Sequence, residues 1–212
     1  AYNVAVGANA GENVTTGASN TIIGGLAGDA LTTGGDNVAV GAYALSTEDT
    51  GSRSVAIGRE ALNQQNFDGN VYNVAVGFQA GLQVTTGIQN TIMGGLAGDA
   101  LTEGARNVAI GYEALTSEDG HGRSTAVGWY ALRSQNAGVE SYNTAIGYNA
   151  GTSITTGVQN TLLGSDAGDA LTTGNHNTAF GFRALSDEDT GSNSTAIGYY
   201  ALNKQNNDSN NY

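Results

Sequence analysis

The pentapeptide Asn3-Val4-Ala5-Val6-Gly7 returns eleven more times along this chain, and that recurrence limits what the chain can fold into. The copies begin at Asn3, Asn20, Asn37, Ser54, Asn73, Asn90, Asn107, Ser124, Asn143, Asn160, Asn177 and Ser194. Their spacings run 17, 17, 17 and 19 residues, and then the cycle starts again. A fixed short period marks stacked repeats, each touching only its neighbours. The fold class read from it is all-β: a parallel β-solenoid spanning 1–212, with twelve coils of 17–19 residues in three 70-residue blocks, 3–72, 73–142 and 143–212. Twelve coils at strand spacing make a rod about 55–60 Å long.

Composition supports order. The chain has 33 Gly and no Pro, and Gly under a strict period without Pro is neither collagen nor a disordered tract. The absence of Cys removes disulfides and thiolate metal sites. Seven Lys and Arg stand against nineteen Asp and Glu, a net charge of -12 that disfavours nucleic acid and anionic membranes as partners. No apolar run reaches membrane-spanning length, so no membrane insertion is expected. No secretory leader pattern opens the chain.

Each coil is numbered here from its Asn or Ser as position 1. Position 4 is always large and apolar, from Val6 and Ile23 to Phe180 and Ile197, and position 2 is Val or Thr. The two share a strand face, since side chains alternate with period two, and that face is expected to be the inside of the coil. Position 3 points the other way yet is never polar: Ala5, Ile22, Ala39, Ala56, Ala75, Ile92, Ala109, Ala126, Ala145, Leu162, Ala179 and Ala196. A strand apolar on both faces is covered on both, so these twelve are expected to form an oligomer interface. The alternative is that Ala is small enough to be tolerated at a surface. Position 5 is always Gly, which suits a turn with positive φ, and position 8 is always Ala, which suits a cramped inward site. The recurring Asn is expected to stack coil upon coil, satisfying backbone groups at the turn. Tyr2, Tyr72, Tyr142 and Tyr212 hold one phase, so the last residue stands where a fourth block would begin. That phase suits either a longer array or end-to-end stacking in register.

The motif Asn143-Thr144-Ala145-Ile146-Gly147-Tyr148-Asn149-Ala150 resembles the head repeat of trimeric autotransporter adhesins (YadA-like heads) and related phage tail-fibre repeats. The longer form at Ala27–Gly34 and Ala167–Gly174 is closer to the phage versions. The resemblance covers essentially the whole chain. It implies a left-handed parallel β-roll, with three chains side by side as a homotrimer. The 17-residue coil is longer than the usual head repeat, and the family's anchor, neck and stalk are absent. A three-sided β-helix is the architectural alternative.

No catalytic constellation is present: His121 and His176 are the only histidines, and each lacks a repeat counterpart. The chain is therefore not expected to be an enzyme, and no cofactor is called for. Acidic turns recur as Glu48-Asp49, Glu118-Asp119 and Asp187-Glu188-Asp189, and Asp29, Asp99 and Asp169 sit one coil earlier. These are read as a solvated acidic edge, with calcium ligation at Asp29, Asp49, Asp99, Asp119, Asp169 and Asp189 as the alternative. Aromatics gather after the invariant Gly: Tyr43, Phe78, Tyr112, Trp129, Tyr130, Tyr148, Phe182, Tyr199 and Tyr200. On a solenoid they line one corner, where rings either bind a sugar or protein or pack on the next coil. The function expected is a structural or adhesive fibre module, a rigid rod at the cell surface, outside the cell or on a virion, which attaches to a host or other surface. The alternatives are a carbohydrate-binding lectin-like module on the aromatic corner and a self-assembling extracellular filament subunit. Thr pairs such as Thr15-Thr16 and Thr32-Thr33 also raise ice binding, though coils three and four break the array.

Overall fold

Each repeat supplies one three-residue strand at positions 2–4, from β1 (Val4–Val6) to β12 (Thr195–Ile197). The computed structural model describes residues 2–206; the phase assigned to Tyr212 and most of the last insertion, 206–212, lie outside them. All twelve strands form one parallel sheet in sequence order, so the chain is a β-solenoid as its period predicts. Register holds position for position: Ala5 lies beside Ile22, and Ile22 beside Ala39. It holds across the insertion as well, where Ala56 pairs with Ala75 and the two extra residues loop out. Among the described residues this is the only sheet, and the other walls of the coil are turns, unlike a helix of three sheets. No helix long and apolar enough to cross a membrane occurs among the described residues.

Stacking continues around the turns. The Leu26 amide reaches back to the Ala8 carbonyl at 2.9 Å, and the Gly11 amide reaches forward to Ala27 at 3.0 Å. To aim these groups the chain bends sharply at position 7, where all twelve residues, none of them Gly, have φ between 51° and 60°. Left-handed backbone costs such residues roughly 1–2 kcal/mol each, which the inter-coil bonds offset.

The strand faces are the reverse of the sequence expectation. From Ile22 to Ala196 every position-3 residue is at most 1% exposed and lies in the core, while Ala5 is open only because its coil ends the stack. Position 4 is outside: Val6, Ile23, Ile57, Met93, Ile146, Leu163, Phe180 and Ile197 are all exposed. Eleven of the twelve position-3 residues are therefore core, Ala5 shares their inward face, and the oligomer interface assigned to them is withdrawn. The physical reason is lumen width. Position 3 faces the buried Ala column at position 8 inside a very narrow coil, which admits small side chains and excludes a full row of Ile and Val.

Where position 3 is large, the wall around it is cut back. A Cβ on Gly11 would lie 2.8 Å from Ile22 Cδ1, and one on Gly28 would lie 3.5 Å from it and 2.9 Å from Leu31 Cδ1. Coils three and four, with Ala at position 3, fill the same lumen with Leu at position 9: Leu45, Leu62, Leu115, Leu132 and Leu185 are buried. Coils one and two keep Gly there and fill from position 12 with Leu31, Val84, Leu101, Ile154 and Leu171. The early and late aliphatics are thus two solutions to one volume.

The position-5 glycines set how closely coils approach. Gly41 has φ +135°, and a Cβ there would lie 2.5 Å from the Gly58 carbonyl oxygen. Gly25, by contrast, faces open space. Gly41→Ala is expected to destabilise the fold by about 2–4 kcal/mol, and Gly25→Ala by less than about 0.5 kcal/mol, read as midpoint shifts in urea denaturation. Equal shifts would contradict the close-approach account.

Candidate functional site

Three features besides the core bring chemically distinctive side chains together: an asparagine spine, a buried acidic column and an exposed aromatic column. The spine is structural. Asn20 Oδ1 accepts from the Asn37 amide at 3.0 Å, and Asn20 Nδ2 donates to the Gly34 carbonyl closing its own coil at 2.9 Å. The pattern repeats at Asn90 and Asn160 and ends in each block at a serine, as where Ser54 accepts no such ladder but donates its amide to Asn37 Oδ1. The threonines at position 13 are also engaged in the stack: Thr15 and Thr32 hydroxyls donate to the Thr32 and Asp49 carbonyls.

The acidic column was missed in the sequence. Position 12 runs Val14, Leu31, Glu48, Gln65 in block one, so the third coil puts a carboxylate where its neighbours put an aliphatic. Glu48, Glu118 and Glu188 are fully buried, so they are not part of a solvated edge. Glu48 Oε1 accepts from the Gly51 amide at 2.7 Å, and its Oε2 from Gln65 Nε2 at 3.0 Å. Gln65 also donates to Ser54 Oγ, and its Oε1 accepts from Asn73 Nδ2 at 2.9 Å, which ties one block to the next. Gln135 repeats this between Glu118, Ser124 and Asn143.

The six aspartates named as calcium candidates are scattered by comparison. Asp99 and Asp169 accept from Thr116 and Ser186 hydroxyls, and Asp29, Asp49 and Asp189 each have a buried Oδ1 without a partner. Only one group of three carboxylate or imidazole donors converges within 4.8 Å among the described residues: Glu118, Asp119 and His121.

The aromatics form two triads. Tyr112 lies 4.6 Å from Trp129, ring centre to ring centre, and Tyr130 meets Trp129 edge-on at 5.4 Å. Arg133 sits over Tyr130 at 4.6 Å and pairs with Glu113 at 2.7 Å. One block later Phe182 stacks on Tyr199 at 5.5 Å, Tyr200 meets Tyr199 edge-on at 4.5 Å, and Arg183 lies over Phe182. Trp129 remains half exposed although another coil follows it, so packing on the next coil does not consume this ring. Phe78 and Tyr148 extend the same column from coil one. Tyr43 holds the position-7 place in block one, where the next coil offers Arg59 and Glu60, an ion pair at 2.9 Å, instead of rings. The three blocks are therefore unequal on this corner.

No family model, no curated protein and no solved structure matches the chain.

Burial pushes the Glu48 and Glu118 carboxyls above the ordinary value of 4.5, against hydrogen bonds from Gln65 and Gln135 that act the other way. A carboxyl raised in the folded state holds its proton more tightly there than in the unfolded chain. Its contribution to stability is therefore greatest below the unfolded value and declines as pH rises through the folded one. Compared with the double variant Glu48→Gln/Glu118→Gln, the wild-type chain is expected to lose stability as pH rises above the ordinary carboxyl value of 4.5, seen as converging or crossing urea midpoints. A gap independent of pH would refute the assignment.

Proposed function

We propose that the chain is a structural and adhesive fibre module of the adhesin-head or tail-fibre kind. In this reading it is a rod that associates side by side with copies of itself and presents its aromatic column for attachment. The observation that carries this reading is the uncovered apolar row at position 4, which runs along the outer sheet face from Val6 to Ile197. Position 2 adds a flanking row of Val and Thr. A contiguous apolar stripe of this length is a feature of interaction surfaces. The occupant that fits it best is another copy of this chain, because a second rod has the same rise per coil and its row interleaves with the first along the whole length. A homotrimer about a common axis covers the row on every chain, in line with the resemblance to trimeric heads. The interface moves from position 3 to positions 4 and 2. Stacking end to end into a filament is the competing mode of association. An extracellular, cell-surface or virion location goes with this role, and no catalytic role is proposed.

The aromatic triads favour a second reading, a lectin-like module for host-surface glycans. Tyr112, Trp129 and Tyr130 offer ring faces beside the Arg133–Glu113 pair, the combination of flat apolar area and polar groups that suits a sugar.

Light scattering across a dilution series is expected to give a constant mass near three chains. Met93→Lys combined with Ile110→Lys, both on the outer row, is expected to yield monomers of unchanged circular dichroism. A wild-type monomer at all concentrations would sink the assembly reading, and a mass that grows with concentration would favour filaments. On a glycan array, any specific binding is expected to fall at least about tenfold in Trp129→Ala and Tyr130→Ala; binding that survives both would place attachment elsewhere.

A further inference from the structure

The three blocks are near copies, and their differences mark where one has departed from the common plan. The clearest departure lies at the turn that ends coil three. Blocks one and three read Thr50-Gly51-Ser52 and Thr190-Gly191-Ser192, while block two reads Gly120-His121-Gly122. At position 15 of coils one to three the chain has Gly in eight places and His121 in the ninth.

Glycine there is what seats the buried glutamate. The Gly51 and Gly191 amides donate to Glu48 Oε1 and Glu188 Oε1, each at 2.7 Å. A Cβ on Gly51 would lie 2.4 Å from the Glu48 carboxyl carbon, so a side chain at this position forces the carboxylate to withdraw. His121 carries that side chain. Glu118 keeps its bond from Gln135 through Oε2 at 2.9 Å, but no well-formed hydrogen bond reaches its buried Oε1, and of the Gly51-type amide contact only a weak approach of the His121 backbone is left. The His121 Nδ1 atom is likewise buried and unpartnered, 3.9 Å from that oxygen. This is too long for a hydrogen bond. Two donors on one tetrahedral ion, each about 2.0–2.2 Å from it, lie about 3.3–3.6 Å apart, so a shift of a few tenths of an ångström brings this pair onto one ion. The neighbouring Asp119, exposed at the rim and held at Oδ1 by the Gly120 amide, brings a third donor into the same 4.8 Å space.

We propose that Glu118, Asp119 and His121 form a binding site for one divalent transition-metal ion, with zinc as its representative. An imidazole with two carboxylates suits zinc, nickel or copper, whereas calcium takes oxygen donors alone. Three protein donors at the rim of a turn leave a fourth position to solvent, or to a donor from a bound molecule. The site differs from the calcium reading of the stacked aspartates in its donors, its ion and its number, one per chain. At Gly34 a Cβ would meet fixed backbone, 2.3 Å from the next coil's Gly51 oxygen, whereas at Gly51 the three nearest atoms all belong to the Glu48 side chain, which can move.

The test is calorimetric titration of zinc chloride into the full chain, free of any purification tag, in metal-free buffer. The result expected is one ion per chain, with affinity weakened at least about tenfold by His121→Gly and by Glu118→Gln and unchanged by His176→Gly. His121→Gly restores the residue found at this position in the other blocks, so loss of binding cannot be ascribed to loss of fold, and circular dichroism checks this. Cobalt(II) should give a visible ligand-field spectrum in the wild type that His121→Gly abolishes. No zinc heat, or equal affinity in His121→Gly, would overturn the proposal, as would loss of binding in His176→Gly alone.

Discussion

Everything in this molecule depends on how closely one coil lies against the next. At position 5 the backbone of each coil passes so near its successor that a single added carbon would sit 2.2–2.5 Å from the following carbonyl oxygen, at every step but the last. That proximity lets amides around the turns find carbonyls one coil away, and it makes left-handed backbone tolerable at position 7. It also fixes the lumen. A coil of 17 residues closed by such turns encloses two rows of small residues, with room for a larger position-3 side chain only at Ile22, Ile92 and Leu162 and for about one further aliphatic per coil at position 9 or 12.

A lumen this narrow cannot bury much apolar area, so polar order contributes specificity. The asparagine amides are fully used, each linking its own closing turn to the next coil. The glutamate–glutamine pairs extend the same logic at position 12, where Gln65 and Gln135 hold a carboxylate on one side and the asparagine that opens the next block on the other. Buried polar groups joined in this way are costly when incomplete and specific when complete. The unpartnered Glu118 oxygen stands out against that background.

The period made the architecture legible: coil count, parallel strands, the tight Gly turn, the cramped Ala and the stacking Asn all follow from it. The strand faces do not, because the ordinary rule buries the larger side chain of an alternating pair. In a wide coil that rule holds. Here the limit is volume, and Ala39 or Ala109 is inside because nothing bigger fits. The buried glutamates were readable in principle, since Glu48 falls in line with Val14 and Leu31 once the coils are aligned, but an acidic residue beside Asp49 resembles a solvated turn. The aromatic residues were identified as one corner from sequence. Their division into two triads depends on which rings share adjacent coils, as with Tyr112 and Trp129, and on the Arg59–Glu60 pair that takes the place of rings in block one.

The ordered sequence at position 12 has a consequence for how such a gene can lengthen or shorten. The strands are nearly interchangeable, so a chain this repetitive is open to slipping by one coil during folding, or to losing one coil by recombination. When the coil skipped or lost is the third or fourth of a block, a glutamate or a glutamine is left in a dry interior without its partner. Removing or adding a whole block restores every neighbour, Gln65 to Asn73 included. The 17-residue coil is thus the unit of shape, and the 70-residue block is the unit of inheritance.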